Sequence, residues 1–150
     1  MRKNFIKQWA TALAFITLTM IQSGCDKDSD DDQDTTSSSI EGLWIGYYTV
    51  DGQPSQGQQY YSLVIKPDGT VINDTKGLNQ QHLAIGAWTL AGNSFACTTT
   101  VVYGLPNNID VTQTHTATFD KVNGTITNGI WTNISTPSNL TGTFTLTKVK

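Results

Sequence analysis

The sequence predicts an all-β domain, a single eight-stranded antiparallel up-and-down β-barrel, with a two-sheet β-sandwich as the alternative. Three observations carry this expectation. From Ile40 onward no segment sustains the 3.6-residue apolar period of an amphipathic helix. Apolar and polar residues alternate instead, and threonine is abundant while glutamate occurs once, at Glu41; that composition suits strands. Short turn signals then follow one another at hairpin spacing, so each strand pairs with its neighbour in sequence. A meander of this size hides its edges by closing into a barrel or by pairing two sheets, and sequential connections favour the barrel.

The elements follow in order. Leu43 to Val50 supplies the first strand. Tyr61, Leu63 and Ile65 alternate with Ser62, Val64 and Lys66, Pro67-Asp68-Gly69 turns the chain, and Thr70-Val71-Ile72 returns. Ile85 to Leu90 and Phe95 to Tyr103 flank Ala91-Gly92-Asn93 as a second hairpin. Gly104 to Asn108 is a loop into Val111 to Phe119, where Val111, Gln113, His115, Ala117 and Phe119 share one face and Thr112, Thr114, Thr116 and Thr118 the other. Asn123-Gly124 turns into Thr125 to Thr132, and Asn133 to Leu140 is a polar loop holding Pro137. Gly142 to Val149 closes the domain, with Phe144 and Leu146 alternating with Thr143, Thr145 and Thr147. Gln53 to Gln59 and Thr75 to His82 read as Gln/Asn-rich loops.

Charge divides the chain into three parts: residues 1–24, 25–39 and 40–150. Arg2, Lys3 and Lys7 precede an apolar run from Trp9 to Ile21. Thirteen residues at ~1.5 Å rise span roughly 20 Å, too short for a hydrocarbon core of ~30 Å, so the run reads as a signal peptide rather than a spanning helix. Six of the twelve acids lie between Asp26 and Asp34, and Thr35 to Ser39 continues that block as a polar tether. Residues 35–150 hold the remaining six acids against five lysines, a net of −1. A domain so nearly neutral lacks the basic stripe that nucleic acid requires, and its tether lacks the glycine and distal glutamate of a calcium loop.

Gln22-Ser23-Gly24-Cys25 resembles the lipobox of bacterial lipoproteins, which implies cleavage before Cys25 and its modification by acyl chains such as palmitate. Such chains would anchor the protein to a membrane. The acidic run just after that cysteine is similar to the export signal of surface lipoproteins in Bacteroidetes-type bacteria. The resemblance implies an outer-membrane lipoprotein exposed at the cell surface; a periplasm-facing anchor is the alternative.

Gly42-Leu43-Trp44 opens the domain, and the Gly-x-Trp triplet returns at Gly86-Ala87-Trp88 and Gly129-Ile130-Trp131. Too few units fit for a propeller, so the spacing reads as that of a meander in which glycine admits close backbone approach and tryptophan plugs the core. The first triplet, at the start of a domain of this size, is similar to the lipocalin and avidin type of barrel, closest to the short lipocalin-like domains of Bacteroidetes lipoproteins. In lipocalins that tryptophan closes the barrel floor beneath an arginine. Here Lys148, in phase with Phe144 and Leu146, is the cation placed to lie over Trp44.

Enzyme signatures do not stand out. There is no Gly-x-Ser-x-Gly elbow, His-Glu-x-x-His, Cys-x-x-Cys or phosphate loop, and Glu41, Asp51, Asp68 and Asp120 belong to the domain's start and its turns rather than to an inward carboxylate pair. Neither a cofactor nor a metal ion is expected. One constellation stands apart. If the strands flanking Pro106 pair symmetrically about it, Cys97 opposes His115, the minimal activated thiol or half a metal site. A small apolar cysteine beside a hydrogen-bonded core histidine is the simpler account.

Trp44, Tyr48, Tyr61, Trp88, Gln113, His115 and Asn128 fall on, or in phase with, the interior faces. A mostly aromatic wall with a few uncharged polar groups suits a small apolar or amphipathic ligand. The alternative is a non-catalytic interaction module that binds glycan or protein, as an inhibitor does, through loops and outer threonine faces.

Overall fold

The structure, a computed structural model, describes residues 38–77, 80–105, 108–135 and 139–150. The stretch read as a signal peptide, Cys25 and most of the stretch read as an acidic tether lie outside these residues. Eight strands follow in chain order: β1 (Gly42–Tyr48), β2 (Gln59–Ile65), β3 (Thr70–Lys76), β4 (Gln81–Ala91), β5 (Ser94–Tyr103), β6 (Thr112–Asp120), β7 (Thr125–Asn133) and β8 (Thr141–Lys148). Each strand pairs antiparallel with the next, and β8 returns to β1, so the sheet closes into an up-and-down barrel. Closure, not a sandwich, is how this meander disposes of its edges. A single 3₁₀ turn, Pro54–Gln56, interrupts the β1–β2 connection. Among the described residues no helix is long and apolar enough to cross a membrane.

Strict alternation sorts the side chains. On β1, Trp44 is fully buried while Leu43, Ile45 and Tyr47 lie on the outer, exposed side. Gln59, Tyr61, Leu63 and Ile65 take the inward row of β2, and Phe95, Cys97, Thr99 and Val101 that of β5. Threonines on the opposite faces form an outward array in which several hydroxyls pair across strands, Thr100 with Thr112 at 3.2 Å and Thr132 with Thr141 at 3.1 Å.

Two features depart from the sequence expectations. Thr75 to His82 is not a loop throughout: β3 runs on to Lys76, β4 begins at Gln81, and Thr75 pairs with His82 in register. The inward side chains there, Thr75 and His82, are polar, which hides the alternation in the sequence without weakening the backbone hydrogen bonds. The second departure is a register shift between Ile126 and Gly129. Asn128 sits at this bulge with φ of 52°, a left-handed conformation that asparagine tolerates better than most residues. The extra residue reverses the phase of β7. Gly129, Trp131 and Asn133 are buried in place of Asn128, Ile130 and Thr132, and Ile130 is left 53% exposed.

Strand direction gives the barrel two different ends. The β2–β3, β4–β5 and β6–β7 turns lie at the closed end, together with the start of β1. Trp44 meets Phe119 edge-on there at 5.8 Å, above fully buried Phe95, Ile126 and Leu146. The Trp44 indole N–H donates to the Ile40 carbonyl at 2.7 Å, so the buried ring leaves no polar atom unpaired. Lys148 takes the place expected of it: Nζ lies 5.8 Å from the Trp44 ring centroid and donates to the Ser39 carbonyl at 2.5 Å.

The other two triplet tryptophans also donate to backbone carbonyls, Trp88 to Lys66 and Trp131 to Thr49. Their positions are not equivalent, because β7 runs opposite to β4 and carries Trp131 to the open end. Gly86 serves close strand approach: a Cβ there would stand 1.8 Å from the Thr98 carbonyl oxygen.

Candidate functional site

The open end of the barrel encloses a cavity of about 400 Å³. It lies among the inward residues of the upper strands and the β1–β2, β3–β4, β5–β6 and β7–β8 connections. Its size falls within the range of roughly 300–1,000 Å³ typical of small-molecule sites.

Three walls can be distinguished by chemistry. An aromatic corner is built by Tyr48, Tyr61 and Trp131. Tyr48 lies 5.7 Å from Tyr61 and 6.0 Å from Trp131, edge-on to the latter. Tyr48 is the more accessible of these rings, since Tyr61 and Trp131 are buried. Ala84, Val101 and Val111 form a small apolar cluster of their own on a second wall.

Carboxamides make the third. The Tyr48 hydroxyl donates to Gln59 Oε1 at 2.9 Å, Gln59 Nε2 donates to Gln56 Oε1 at 2.7 Å, and Gln56 in turn bonds to Gln53. This relay runs from β1 through the start of β2 to the 3₁₀ turn, with Gln56 in the turn and Gln53 at its N-cap. Across the opening, Gln113 Nε2 donates to Asn133 Oδ1 at 2.7 Å. Asn73 is 2% exposed and donates to the Ser62 carbonyl at 3.1 Å, while Asn108 Nδ2 and His82 Nε2 stand 2.9 Å apart. Burial draws the His82 pKa below its ordinary value, which favours the neutral ring. Among the described lining residues none is Asp, Glu, Lys or Arg.

Beneath the cavity lies a buried polar chain. Tyr61 Oη is 2.8 Å from His115 Nδ1, and His115 Nε2 is 3.0 Å from Thr99 Oγ1, so both ring nitrogens are paired. Tyr61 also stacks on Phe144 with ring centroids 5.1 Å apart. His115 is 1% exposed, and burial pushes its pKa down to about 4, leaving a neutral imidazole at neutral pH. Tyr61 is raised well above its ordinary range, by burial first and by Cys97 and Tyr48 after that.

Cys97 opposes His115 across β5 and β6, the register that symmetry about Pro106 implies. Burial pushes the Cys97 thiol up to about 12, the reverse of an activated thiolate. Tyr61 and Thr99, not the cysteine, hold the imidazole. No three His, Cys, Asp or Glu side chains converge on a metal-sized site among the described residues.

The seven residues read from the sequence as pocket-lining therefore separate into four groups. Tyr48, Tyr61 and Gln113 line the cavity. His115 lies below it, bonded to the lining residue Tyr61. Trp44 and Trp88 do not line it: they belong to the closed end, where strand direction puts the first residues of β1 and the last of β4. Asn128 is exposed on the outer surface because the bulge turns it out, and the same bulge brings in Trp131 and Asn133. Gln59 and Asn73 were legible in principle, since each is two residues from a buried apolar residue on its strand, Tyr61 and Val71. No family model matches the chain, and no curated protein or solved structure shows significant similarity to it.

Proposed function

We propose that the protein is a lipoprotein of lipocalin-like build, held on a membrane through Cys25 and displayed at the cell surface, whose barrel takes up one small, uncharged, amphipathic ligand at its open end. The architecture is compatible with that fold, and one observation carries the reading. A cavity of about 400 Å³ opens at one end of an otherwise packed barrel, and its walls are aromatic, aliphatic and carboxamide without a charged side chain among the described residues. An ionised ligand would have to shed its water there without a counter-charge, which is costly. No covalent chemistry is required, and the neutral Tyr61–His115–Thr99 chain serves to hold the base of the cavity rigid.

The alternative, a contact surface on the outer threonine faces, draws less support because part of that array is already satisfied internally. The test is uptake of neutral probes by the intact chain, with a glycoside, a nucleoside and a linear alcohol, measured by native mass spectrometry and titration calorimetry. Binding of at least one member, and its loss in Ala84→Trp at an unchanged circular-dichroism spectrum, is the expected result. Uptake of none, or uptake indifferent to a filled cavity, overturns the reading. For the anchor, Cys25→Ser moves the protein from the membrane to the soluble fraction and abolishes labelling by an alkynyl fatty acid. Protease shaving of intact cells removes the barrel if it faces outward.

A further inference from the structure

We infer that the ligand is a neutral polyhydroxylated molecule of the size of one or two pyranose rings, bound with its C–H face against Tyr48 and its hydroxyls against the two carboxamide sets. The inference rests on the cavity being a binding site and adds the chemical class of what enters it.

The case is built on what the walls can and cannot satisfy. Each side-chain carboxamide presents an acceptor oxygen and two donor hydrogens on one rigid plane. A hydroxyl is likewise donor and acceptor together, so vicinal hydroxyls and carboxamides match each other without proton or charge bookkeeping. Eight of the described lining residues are carboxamides, against five aliphatic ones. They are also organised. The Gln59–Gln56–Gln53 relay hands a hydrogen bond along one side from the Tyr48 hydroxyl, and Gln113 donates to Asn133 on the other. Each bond uses one amide hydrogen or one oxygen lone pair of the four sites a carboxamide offers, so Gln53, Gln56, Gln59 and Gln113 retain sites for a hydroxyl beyond the bonds they make to one another and to Tyr48 and Asn133.

Between these two sets stands the aromatic corner, with Tyr48 half-buried and its ring accessible from the cavity. A pyranose has the same division: an apolar face of C–H bonds and a polar equator of hydroxyls. Other classes fit less well. A linear alkyl chain would cover the carboxamides and withdraw them from water while offering no partner. A carboxylate or phosphate finds no cation among the described lining residues. The apolar wall of Ala84, Val101 and Val111 takes the remaining hydrophobic surface of the sugar ring or of its aglycone.

The test is calorimetry on the intact chain with methyl β-glucoside and maltose, against glucuronate, adenosine and decanol. Expected is saturable binding of at least one neutral glycoside, at least about tenfold tighter than glucuronate or decanol. Gln59→Leu and Gln113→Leu, which keep side-chain bulk and remove hydrogen bonding, each weaken that binding by about tenfold or more, and Tyr48→Ala abolishes it; decanol binding is unchanged or improved by the leucine variants. Preference for decanol or for adenosine overturns the polyol class and leaves the cavity reading standing. Glycoside binding that survives both leucine variants and Ala84→Trp overturns the assignment to this cavity. If no probe binds, the cavity reading fails together with the inference.

Discussion

At the closed end of the barrel the inward positions carry Trp44, Phe95, Phe119, Ile126 and Leu146, none more than 4% exposed; at the open end the same inward rows carry Gln59, Asn73, Gln113 and Asn133. Both ends are built from the same antiparallel strands. What differs is how space is filled. Apolar side chains at the closed end pack into one buried cluster, so that end supplies cohesion. Carboxamides at the open end are held in pairs and relays by hydrogen bonds that have a preferred geometry, and they leave a cavity between them. Stability and recognition are thus separated along one axis, with the Tyr61–His115–Thr99 chain at the boundary.

The largest test of this separation truncates one side chain at each end. Phe95→Ala removes a fully buried ring from the closed end and is expected to cost about 3–5 kcal/mol. Gln113→Ala at the open end costs about 1 kcal/mol, since one hydrogen bond to Asn133 is lost where water can replace it. Urea denaturation of the two variants reads the contrast directly. Equal losses would mean that the two ends are not energetically distinct.

The boundary itself is read by pH. Folding depresses the His115 pKa to about 4 from an ordinary value near 6.5, so between those values the unfolded chain binds more protons than the folded one. Stability is therefore fully present above pH ~6.5 and falls as the pH drops toward ~4, by about 3 kcal/mol in all. Asp68 and Asp120, lowered by hydrogen bonds from Thr70 and Asn123 respectively, act in a lower window, whereas His82, also lowered by burial, adds to the slope in the same window. Denaturation midpoints between pH 7 and 4 measure it; His115→Gln removes the larger part of the slope, and His82→Gln in addition flattens it. A slope that persists in the double variant would assign the effect elsewhere.

The smallest effect concerns the outer seal of the closed end. Lys148→Ala removes a cation over the Trp44 ring and a hydrogen bond to the Ser39 carbonyl. A loss of about 1 kcal/mol is expected, with a shift in tryptophan emission. An unchanged melt would show that the closed end is complete without its lysine.

Much of this molecule is legible without coordinates, for local reasons. Pro67-Asp68-Gly69 and Gly92-Asn93 specify tight turns by their own backbone preferences, and Tyr61-Leu63-Ile65 or Phe144-Leu146 mark one face by period two. The Cys97–His115 register follows from the two strands alone, because nothing between Ser94 and Thr118 breaks their symmetry. Where inward residues are polar, the same method loses its signal. Thr75 and His82 were read as loop because alternation of polar with polar is invisible, and the open end is built of such positions.

Turn chemistry, alternation and the pairing of each strand with its successor are properties of short segments, so the eight strands and their up-and-down order are written in the chain. Two things are not. The bulge between Ile126 and Gly129 arises where β7 must fit β8, and a single residue of phase exchanges Asn128 for Trp131 and Asn133 at the cavity. Which end of the barrel is packed and which is open is decided by how the inward side chains of all the strands fill one shared interior, and this places Trp44 and Trp88 at the packed end and Trp131 at the open one. Both depend on how neighbouring strands fit one another in three dimensions, which no local window of sequence can express.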